Sequence, residues 1–339
     1  MTRILRLTFW QWVFLAVMAA ATYATYLRVV YGLGGATNLS DKFPWGIWIG
    51  FDVLCGVGFA AGGFTLAAIV HIFNLKRFEP IVRPAILTAF LGYVLVVAAL
   101  LFDLGRPDRI WHPLVMWNPR SVMFEVAWCV MLYLTVLALE FSPVVLERFR
   151  LAKPLKIIKA ITIPLVIVGV LLSTLHQSSL GSLYLIVPSK LHPFWYSPLL
   201  PVFFYVSAIG VGLAMVIFES NLSARAFGRE IEMPLLAQLG KALVVVLAFY
   251  GVLRFQDLAG RGALRFLREP STESVLFGLE VLLGLFLPVA LLVWRRVRES
   301  REGLFAAAVL VIAGFLLNRL NVSITGMEAS SGTHYFPRW

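Results

Sequence analysis

The stretch PAILTAFLGYVLVVAALLFD, residues 84–103, determines the class of fold, because its only charged residue is the last one, Asp103. A helix of this length rises about 30 Å, which matches the hydrocarbon core of a bilayer. Backbone groups in lipid must find their hydrogen bonds inside their own segment, so a lipid-facing run of this length must be helical. Residues 84–103 are therefore predicted to form a transmembrane helix.

Apolar runs of similar length recur along the whole chain of 339 residues. Hydrophobic residues make up 60% of the chain and charged residues 14%, against roughly 25% charged in a soluble domain. We predict an all-α, polytopic transmembrane bundle in a single membrane domain, residues 1–339. Nine spans are expected, at about 9–30, 45–73, 84–103, 121–141, 157–179, 199–219, 235–258, 274–294 and 304–321.

The net charge of +11 comes largely from basic residues in the short loops between the apolar runs. That distribution is typical of the positive-inside pattern of membrane proteins, and it argues against a nucleic-acid partner. It predicts a cytoplasmic N-terminus and a tail after residue 321 on the outer side. The basic N-terminus precedes an apolar run without a clear cleavage site, so we interpret the run as a retained first helix.

The second predicted span contains GVGFAAGG, residues 56–63. A dinucleotide-binding loop would need a preceding strand, which is incompatible with a lipid-embedded run. Small residues at this spacing instead allow helices to approach closely. We expect these glycines to be packing positions.

Ionisable side chains within spans cost several kcal/mol and therefore indicate a function or an internal partner. Their positions along the predicted helices place one set in the outer half of the membrane, where it could line a polar cavity. Alternatively, the charges pair with one another, as Arg254 with Asp257 and Arg319 with Glu280, and only hold the bundle together. The set comprises Asp52, Asp103, Glu125, His176, Gln177, Arg254, Asp257, Glu280, Asn318 and Arg319.

A second set lies deeper and could connect the outer cavity to the cytoplasm as a proton route. Its main members are Tyr93, Glu140 and Glu219, with His71, Ser173 and Thr174 nearby in the predicted spans. The alternative is that Glu140, Glu219 and His71 are simply interfacial residues at helix ends.

The sequence also limits the cofactors. Cys55 and Cys129 lie in different spans, so no iron–sulfur cluster is expected in this chain. Of the five histidines, only His71 and His176 fall within spans, at opposite ends, so a bis-histidine haem is not expected. No metal site is predicted, and any redox role would need electrons from a partner.

Three blocks carry a family resemblance: LFDLGRPDRIWHPLVMWNPRSVMFEVAWCVMLY (101–133), STLHQSSLGSLYLI (173–186) and LNRLNVSITGMEASSGTHYFPRW (317–339). With them the chain resembles, over essentially its whole length, the NrfD/PsrC family of quinone-interacting membrane subunits. The likeness is to the HybB-type branch, which serves periplasm-facing nickel–iron hydrogenases. In the family the last block leads into a tenth helix, which we expect to be missing from these 339 residues.

The resemblance implies a haem-free subunit of the bacterial inner membrane that exchanges electrons with a periplasmic ferredoxin-like iron–sulfur subunit. The small and large hydrogenase subunits would complete the complex, and the substrate would be menaquinone or ubiquinone. Glu125 and His176 become candidates for the quinone pocket or its proton supply. The loop that would face the iron–sulfur subunit carries Arg106, Arg109 and His112 next to Asp103.

Two other functions remain open at this stage. The chain could anchor another periplasmic oxidoreductase, such as a molybdenum enzyme or a multihaem cytochrome complex. It could also be a transporter or proton channel without redox chemistry.

Overall fold

The computed structural model describes residues 8–40, 43, 45–331 and 335–336. Within this part of the chain, nine helices are long and apolar enough to cross a membrane, which confirms the predicted all-α bundle. They are α1 (Phe9–Thr37), α2 (Ile47–Ile72), α3 (Lys76–Asp103), α4 (Val122–Arg148), α5 (Thr162–Ile186), α6 (Leu200–Phe227), α7 (Met233–Gly260), α8 (Thr272–Val293) and α9 (Arg301–Ala329).

Several predicted helix ends were wrong. α3 begins before residue 84 because Pro80 lies in the first turn of its α-helical part, where a missing N–H is tolerated, and Pro84 lies only one turn later. α5 begins at Thr162, since residues 152–160 form a separate short helix, Ala152–Ala160. α4, α6 and α9 extend past their predicted ends into charged or polar residues.

The helices α2 and α6 are the most enclosed. α1 lies at the periphery, and no residue in its most apolar stretch is buried. α1 is tied to α3 through Arg28, whose Nε donates to the Phe102 carbonyl at 2.7 Å. Its Nη2 donates to the Leu104 carbonyl at 2.6 Å. Tyr335, from the C-terminal tail, donates to the Thr37 carbonyl at the end of α1.

The glycines of α2 are packing positions, as predicted. A Cβ added at Gly62 would lie 2.9 Å from the Gly212 carbonyl oxygen of α6. One added at Gly63 would lie 3.3 Å from the Ala85 carbonyl oxygen of α3. α2 therefore lies almost backbone to backbone against α6 and α3.

Three of the helices contain π-helical turns, which widen the helix and often accompany functional sites. In α2 the turn Gly50–Cys55 contains Asp52. In α9 the turn Asn321–Thr325 follows Arg319 directly, and α8 has one at Leu282–Phe286, just after Glu280. The irregular turns thus occur next to the polar residues singled out from the sequence.

Candidate functional site

A groove of about 380 Å³ lies between α2 and α3, with Met215 of α6 at its side. Small residues create its space, since Gly56 and Ala60 of α2 face Gly92 and Ala99 of α3. Among the described residues that line it, Asp52 is the acidic one. The volume falls within the range of ligand pockets, roughly 300–1,000 Å³.

Asp52 and Asp103 come together at one end of this groove, a pairing that the sequence analysis did not predict. Their carboxyl groups lie beside each other. Two carboxylates so close repel each other, which favours a pair that holds one proton between them. Arg28 is the cation that acts on Asp103, and Asp103 Oδ2 has no hydrogen-bond partner. The groove therefore ends at a pair of carboxyl groups suited to hold and donate a proton.

A second feature is a column of polar side chains along one face of α5. At the end nearest the C-terminus of α5, Ser179 donates to Glu125 of α4. One turn earlier in α5, His176 Nδ1 and the Tyr93 hydroxyl lie 3.0 Å apart. The structure thus brings Glu125, His176 and Tyr93 into one column, which we name the α5 column.

The inner part of the α5 column contains a residue that the sequence analysis missed. Tyr133 of α4 packs edge-on against Tyr93, with ring centroids 4.8 Å apart, and lies beside Ser173. Glu140 follows below, where a Cβ added at Gly169 of α5 would lie 3.5 Å from its Oε1. The spacing of Glu125, Tyr133 and Glu140 by seven to eight residues places them on one face of α4 and could have revealed Tyr133.

Several polar atoms of the α5 column are buried without a partner. His176 is 0% exposed and its Nε2 makes no hydrogen bond, nor does Gln177 Oε1. Gln177 Nε2, by contrast, donates to the Val57 carbonyl of α2 at 3.1 Å. Buried polar atoms are rarely left unsatisfied, so the column can accept further hydrogen bonds from water or a ligand.

A third polar cluster, between α7, α8 and α9, is centred on Glu280. Its Oε1 accepts from Arg254 Nη2 and Asn318 Nδ2, both at 2.8 Å. Its Oε2 accepts from Trp195 Nε1 at 2.8 Å and Asn321 Nδ2 at 2.9 Å. These four donors occupy the acceptor positions of the carboxylate. We call Glu280 and the residues bonded to it the Glu280 cluster. Trp195 and Asn321 were not identified from the sequence.

The predicted ion pairs in this region were wrong. Arg254 pairs with Glu280 rather than with Asp257, and Asp257 instead binds Arg261 at 2.6 Å, one turn further along α7. Arg319 reaches Glu280 only through Asn318, whose Oδ1 accepts from its Nη1 at 2.7 Å. Asp257 is bound by a charge four residues away on its own helix, and an amide stands between Arg319 and Glu280. Depth in the membrane alone could not show either arrangement.

Arg319 is a buried cation with no carboxylate of its own. It is 1% exposed, donates to Ser207 at 2.9 Å and lies over the Phe204 ring at 3.6 Å. Aromatic faces stabilise a guanidinium in a desolvated site. The Glu280 cluster therefore carries two arginines for one carboxylate.

Glu219 of α6 lies apart from the α5 column. Its carboxyl is beside the Thr88 hydroxyl, in a cavity of about 270 Å³ whose other end carries Arg229, Glu230 and Glu232. Thr88 lines both this cavity and the groove. The predicted proton-route residues thus belong to two places: Tyr93 and Glu140 to the α5 column, and Glu219 to a cavity that shares Thr88 with the groove.

The loop between α3 and α4 is a surface rather than part of a pocket. Arg106 and Arg109 lie within 3.3 and 3.9 Å of Asp108, all of them exposed. Trp111 and Trp117 are 51% and 66% exposed. His112 is half-buried beside Trp111, with ring centroids 4.5 Å apart. Basic and aromatic side chains together make this loop suitable for a protein partner.

Within the described residues, no group of three His, Cys, Asp or Glu side chains converges as a metal site. The geometry therefore defines a multi-pass membrane protein with a groove ending at an acid pair, a column of titratable groups, and a separate charge cluster around Glu280.

Comparison with known proteins identifies the family. Residues 35–329 match the model of the NrfD family, described as polysulphide reductase, NrfD, and the chain belongs to this family. It is 44% identical to a protein of Nitratidesulfovibrio vulgaris, over 93% of this chain and 83% of that one.

Two further relatives have informative names. The chain is 38% identical to the probable Ni/Fe-hydrogenase 2 b-type cytochrome subunit of Escherichia coli (strain K12), over 92% of this chain and 81% of that one. It is 28% identical to the menaquinone reductase integral membrane subunit of Nitratidesulfovibrio vulgaris, over 94% and 82%. The expected membership of the NrfD/PsrC family is confirmed, and the chain is a membrane subunit of a redox complex.

Proposed function

We propose that this chain is the quinone-reactive subunit of a hydrogen:quinone oxidoreductase in the bacterial inner membrane. A ferredoxin-like iron–sulfur subunit on the periplasmic face exchanges electrons with it and connects it to the small and large subunits of a nickel–iron hydrogenase. The hydrogenase subunit of Escherichia coli among its relatives supports this assignment. The exposed basic and aromatic loop at residues 104–120 is the proposed docking surface for the iron–sulfur subunit.

The groove between α2 and α3 is the proposed quinone site, and the observation that carries this is the acid pair at its outer end. A quinone needs a long apolar channel for its isoprenoid tail and a hydrogen-bond donor for its carbonyl oxygen. The glycine and alanine walls supply the first, and the protonated member of the Asp52–Asp103 pair supplies the second. Neither Glu125 nor His176 lines this groove.

Reduction adds two electrons and two protons to the quinone and gives the quinol; oxidation of quinol is the same sequence reversed. Electrons arrive from the iron–sulfur partner. A quinone that gains electrons without protons is an anion in low dielectric, so a positioned acid lowers the barrier. The Asp52–Asp103 pair delivers the first proton. The second comes from the cytoplasmic side through Glu219, in the neighbouring cavity, and Thr88, which lines both that cavity and the groove.

The α5 column is a second candidate for the site, because His176 Nε2 and Gln177 Oε1 are buried without partners. In that arrangement Glu125 and His176 donate the protons directly, and Tyr93, Tyr133 and Glu140 resupply them from the cytoplasm. Arg254, Asp257 and Glu280 stay outside the reaction in either arrangement, since their side chains are already hydrogen-bonded to one another or to neighbouring groups.

The subunit is proposed to work without haem, although the relative from Escherichia coli is named a b-type cytochrome subunit. A bis-histidine b-type haem needs two histidine side chains facing one cavity. His176 is the one fully buried histidine among the described residues, and its Nδ1 is already bonded to Tyr93.

Asp52→Asn and Asp103→Asn distinguish the two sites. In the purified complex, each variant should lower hydrogen-dependent reduction of a soluble quinone by about 100-fold or more, the usual contribution of a positioned acid. Hydrogen oxidation with an artificial dye, which does not use this chain, should stay normal. Glu299→Gln, an exposed carboxyl at the other end of the bundle, is the matched control.

Glu125→Gln and His176→Ala are tested in the same assay. Normal quinone reduction in the two aspartate variants, with loss in the Glu125 and His176 variants, would move the site to the α5 column. Normal activity in all four would remove both sites from the mechanism.

The relative named as a menaquinone reductase subunit supports a second function, in which the chain anchors an oxidoreductase other than a hydrogenase. Metal analysis of the gently solubilised complex decides between them. Nickel supports the hydrogenase, whereas molybdenum or multihaem spectra support another enzyme. A chain that purifies with none of these would contradict both.

A further inference from the structure

At the end of the bundle opposite the acid pair, a cavity of about 390 Å³ lies between α7 and the segment that follows α8. Gln238 and Lys241 of α7 line it together with Arg298 and Glu299. None of these residues belongs to the groove, the α5 column or the Glu280 cluster. The cavity therefore needs an explanation of its own.

The charge lining this cavity is positive and uncompensated. Glu299 is already paired with Arg295 at 2.8 Å. Lys241 and Arg298 have no carboxylate partner among the residues that the structure describes. With Glu299 neutralised by Arg295, the two cations in the cavity repel each other, and an anionic ligand would relieve this repulsion.

Arg298 is held in position from two sides. Its Nη1 donates to the Val293 carbonyl at 2.8 Å and also to that of Leu292, at the end of α8. Its stem crosses Gly240, where an added Cβ would lie 3.7 Å from Arg298 Cδ. Lys241 and Arg298 line the same cavity, and the remaining guanidinium donors are free to bind a ligand.

The cavity also holds an unused acceptor. Gln238 Oε1 is buried and has no hydrogen-bond partner. It lies one turn before Lys241 on the same face of α7. A ligand for this cavity should therefore combine an anion for the cations with a hydroxyl group that can donate to Gln238.

The surface beyond the cavity is apolar and faces lipid. Along α7 the same face continues from Lys241 to Val245, Phe249 and Val252, which are 68%, 53% and 56% exposed. Trp294, 69% exposed, lies at the level of the cations, where tryptophan is typical of the membrane interface. A ligand with acyl chains would extend along this face, and free phosphate would gain nothing from it.

We propose that the cavity formed by Gln238, Lys241 and Arg298 binds the headgroup of a phosphatidylglycerol-type lipid. The phosphodiester lies between the Lys241 ammonium and the Arg298 guanidinium, and a glycerol hydroxyl donates to Gln238 Oε1. The acyl chains follow α7 past Val245. Basic pockets between helices at this level of the bilayer are suited to anionic lipids. This site does not depend on the proposed quinone function.

Native mass spectrometry of the delipidated, detergent-solubilised protein tests the proposal with added dioleoyl phosphatidylglycerol or dioleoyl phosphatidylcholine. Phosphatidylglycerol should bind more tightly, and Lys241→Gln should weaken it about five-fold, the usual contribution of one basic residue near the membrane surface. Lys153→Gln removes an exposed cation of the short helix Ala152–Ala160 and should leave binding unchanged.

Gln238→Leu tests the hydroxyl contact. It should abolish any preference for phosphatidylglycerol over phosphatidylmethanol, which has the same charge but no free hydroxyl. If Lys241→Gln does not yield folded protein, Gln238→Leu and the charge-preserving Lys241→Arg still decide the question, since the second should bind as the wild type does. Equal binding of phosphatidylcholine, unchanged affinity in Lys241→Gln, or equal thermal stabilisation by inorganic phosphate alone would overturn the proposal.

Discussion

Replacing Glu280 by glutamine should destabilise the bundle far more than the loss of one hydrogen bond. The carboxylate accepts four hydrogen bonds, two at each oxygen. In glutamine one of these oxygens becomes an NH₂ group, which can only donate. Either Arg254 and Asn318 or Trp195 and Asn321 would then face a donor.

The magnitude follows from burial. The side chains of Glu280 and Arg254 are 5% and 8% exposed, so the variant leaves Arg254 charged without its counterion in a desolvated site, next to a second arginine. Removing one partner of a buried pair costs about 3–5 kcal/mol. An exposed pair such as Arg295–Glu299 contributes only about 0–1 kcal/mol, which makes Glu299→Gln the matched control.

The assay is denaturant unfolding of the purified protein in mild detergent, followed by tryptophan fluorescence. Trp195 reports directly, because its indole nitrogen binds Glu280. We expect Glu280→Gln to lower the free energy of unfolding by at least 3 kcal/mol, and the double variant Glu280→Leu/Arg254→Met to recover part of that loss. Equal stability of Glu280→Gln and Glu299→Gln would refute the idea that this cluster holds α7, α8 and α9 together.

The remaining predictions concern haem, topology and packing. The purified subunit should show no reducible b-type absorption, and a stoichiometric haem that is lost in His176→Ala would contradict the haem-free assignment. Gly62→Ala should lower the free energy of unfolding by about 1–3 kcal/mol, because its Cβ would lie 2.9 Å from Gly212. Gly278→Ala is the control, since nothing lies within 4 Å of the added Cβ. Equal unfolding free energies of the two variants would be inconsistent with the α2–α6 contact. The proposed orientation places reporters fused after Lys76, Arg150, Arg229 and Arg298 in the cytoplasm. It places reporters fused after Asn38, Trp111, Lys190 and Arg268 in the periplasm. Two or more inverted fusions would overturn it.

The helices could be predicted from the sequence because lipid imposes a strong rule on each segment by itself. Apolar length was enough to place α2, α7 and α8 to within about two residues of their observed bounds. The same rule failed at Pro84 and at residues 157–161, where helix continues outside the lipid or a second helix begins. There the backbone depends on local turn chemistry rather than on hydropathy.

The pairing of polar side chains could not be predicted, because position along a helix gives the depth of a residue but not its neighbour. Depth placed Arg319 and Glu280 at similar levels, yet Asn318 lies between them. It placed Asp52 and Asp103 in the outer half without showing that they meet. Helical spacing would have grouped Thr88, Gly92, Ala99 and Asp103 on one face of α3, which is the face that lines the groove or meets Asp52.

The polar groups of the bundle divide into two chemical kinds, and this division can be tested by pairing two variants. The Asp52–Asp103 pair is proposed to hold one proton, so replacing either carboxyl by an amide changes proton supply, while an amide and a carboxyl can still hydrogen-bond to each other. Glu280 accepts four hydrogen bonds from fixed donors, so its replacement removes stability rather than a proton. Asp52→Asn should therefore lower quinone reduction with little change in unfolding free energy. Glu280→Gln should do the reverse in protein that remains folded. If both variants lost activity and stability in the same proportion, the groove and the cluster would form one cooperative unit, and the acid pair could not be assigned a chemical role on this basis.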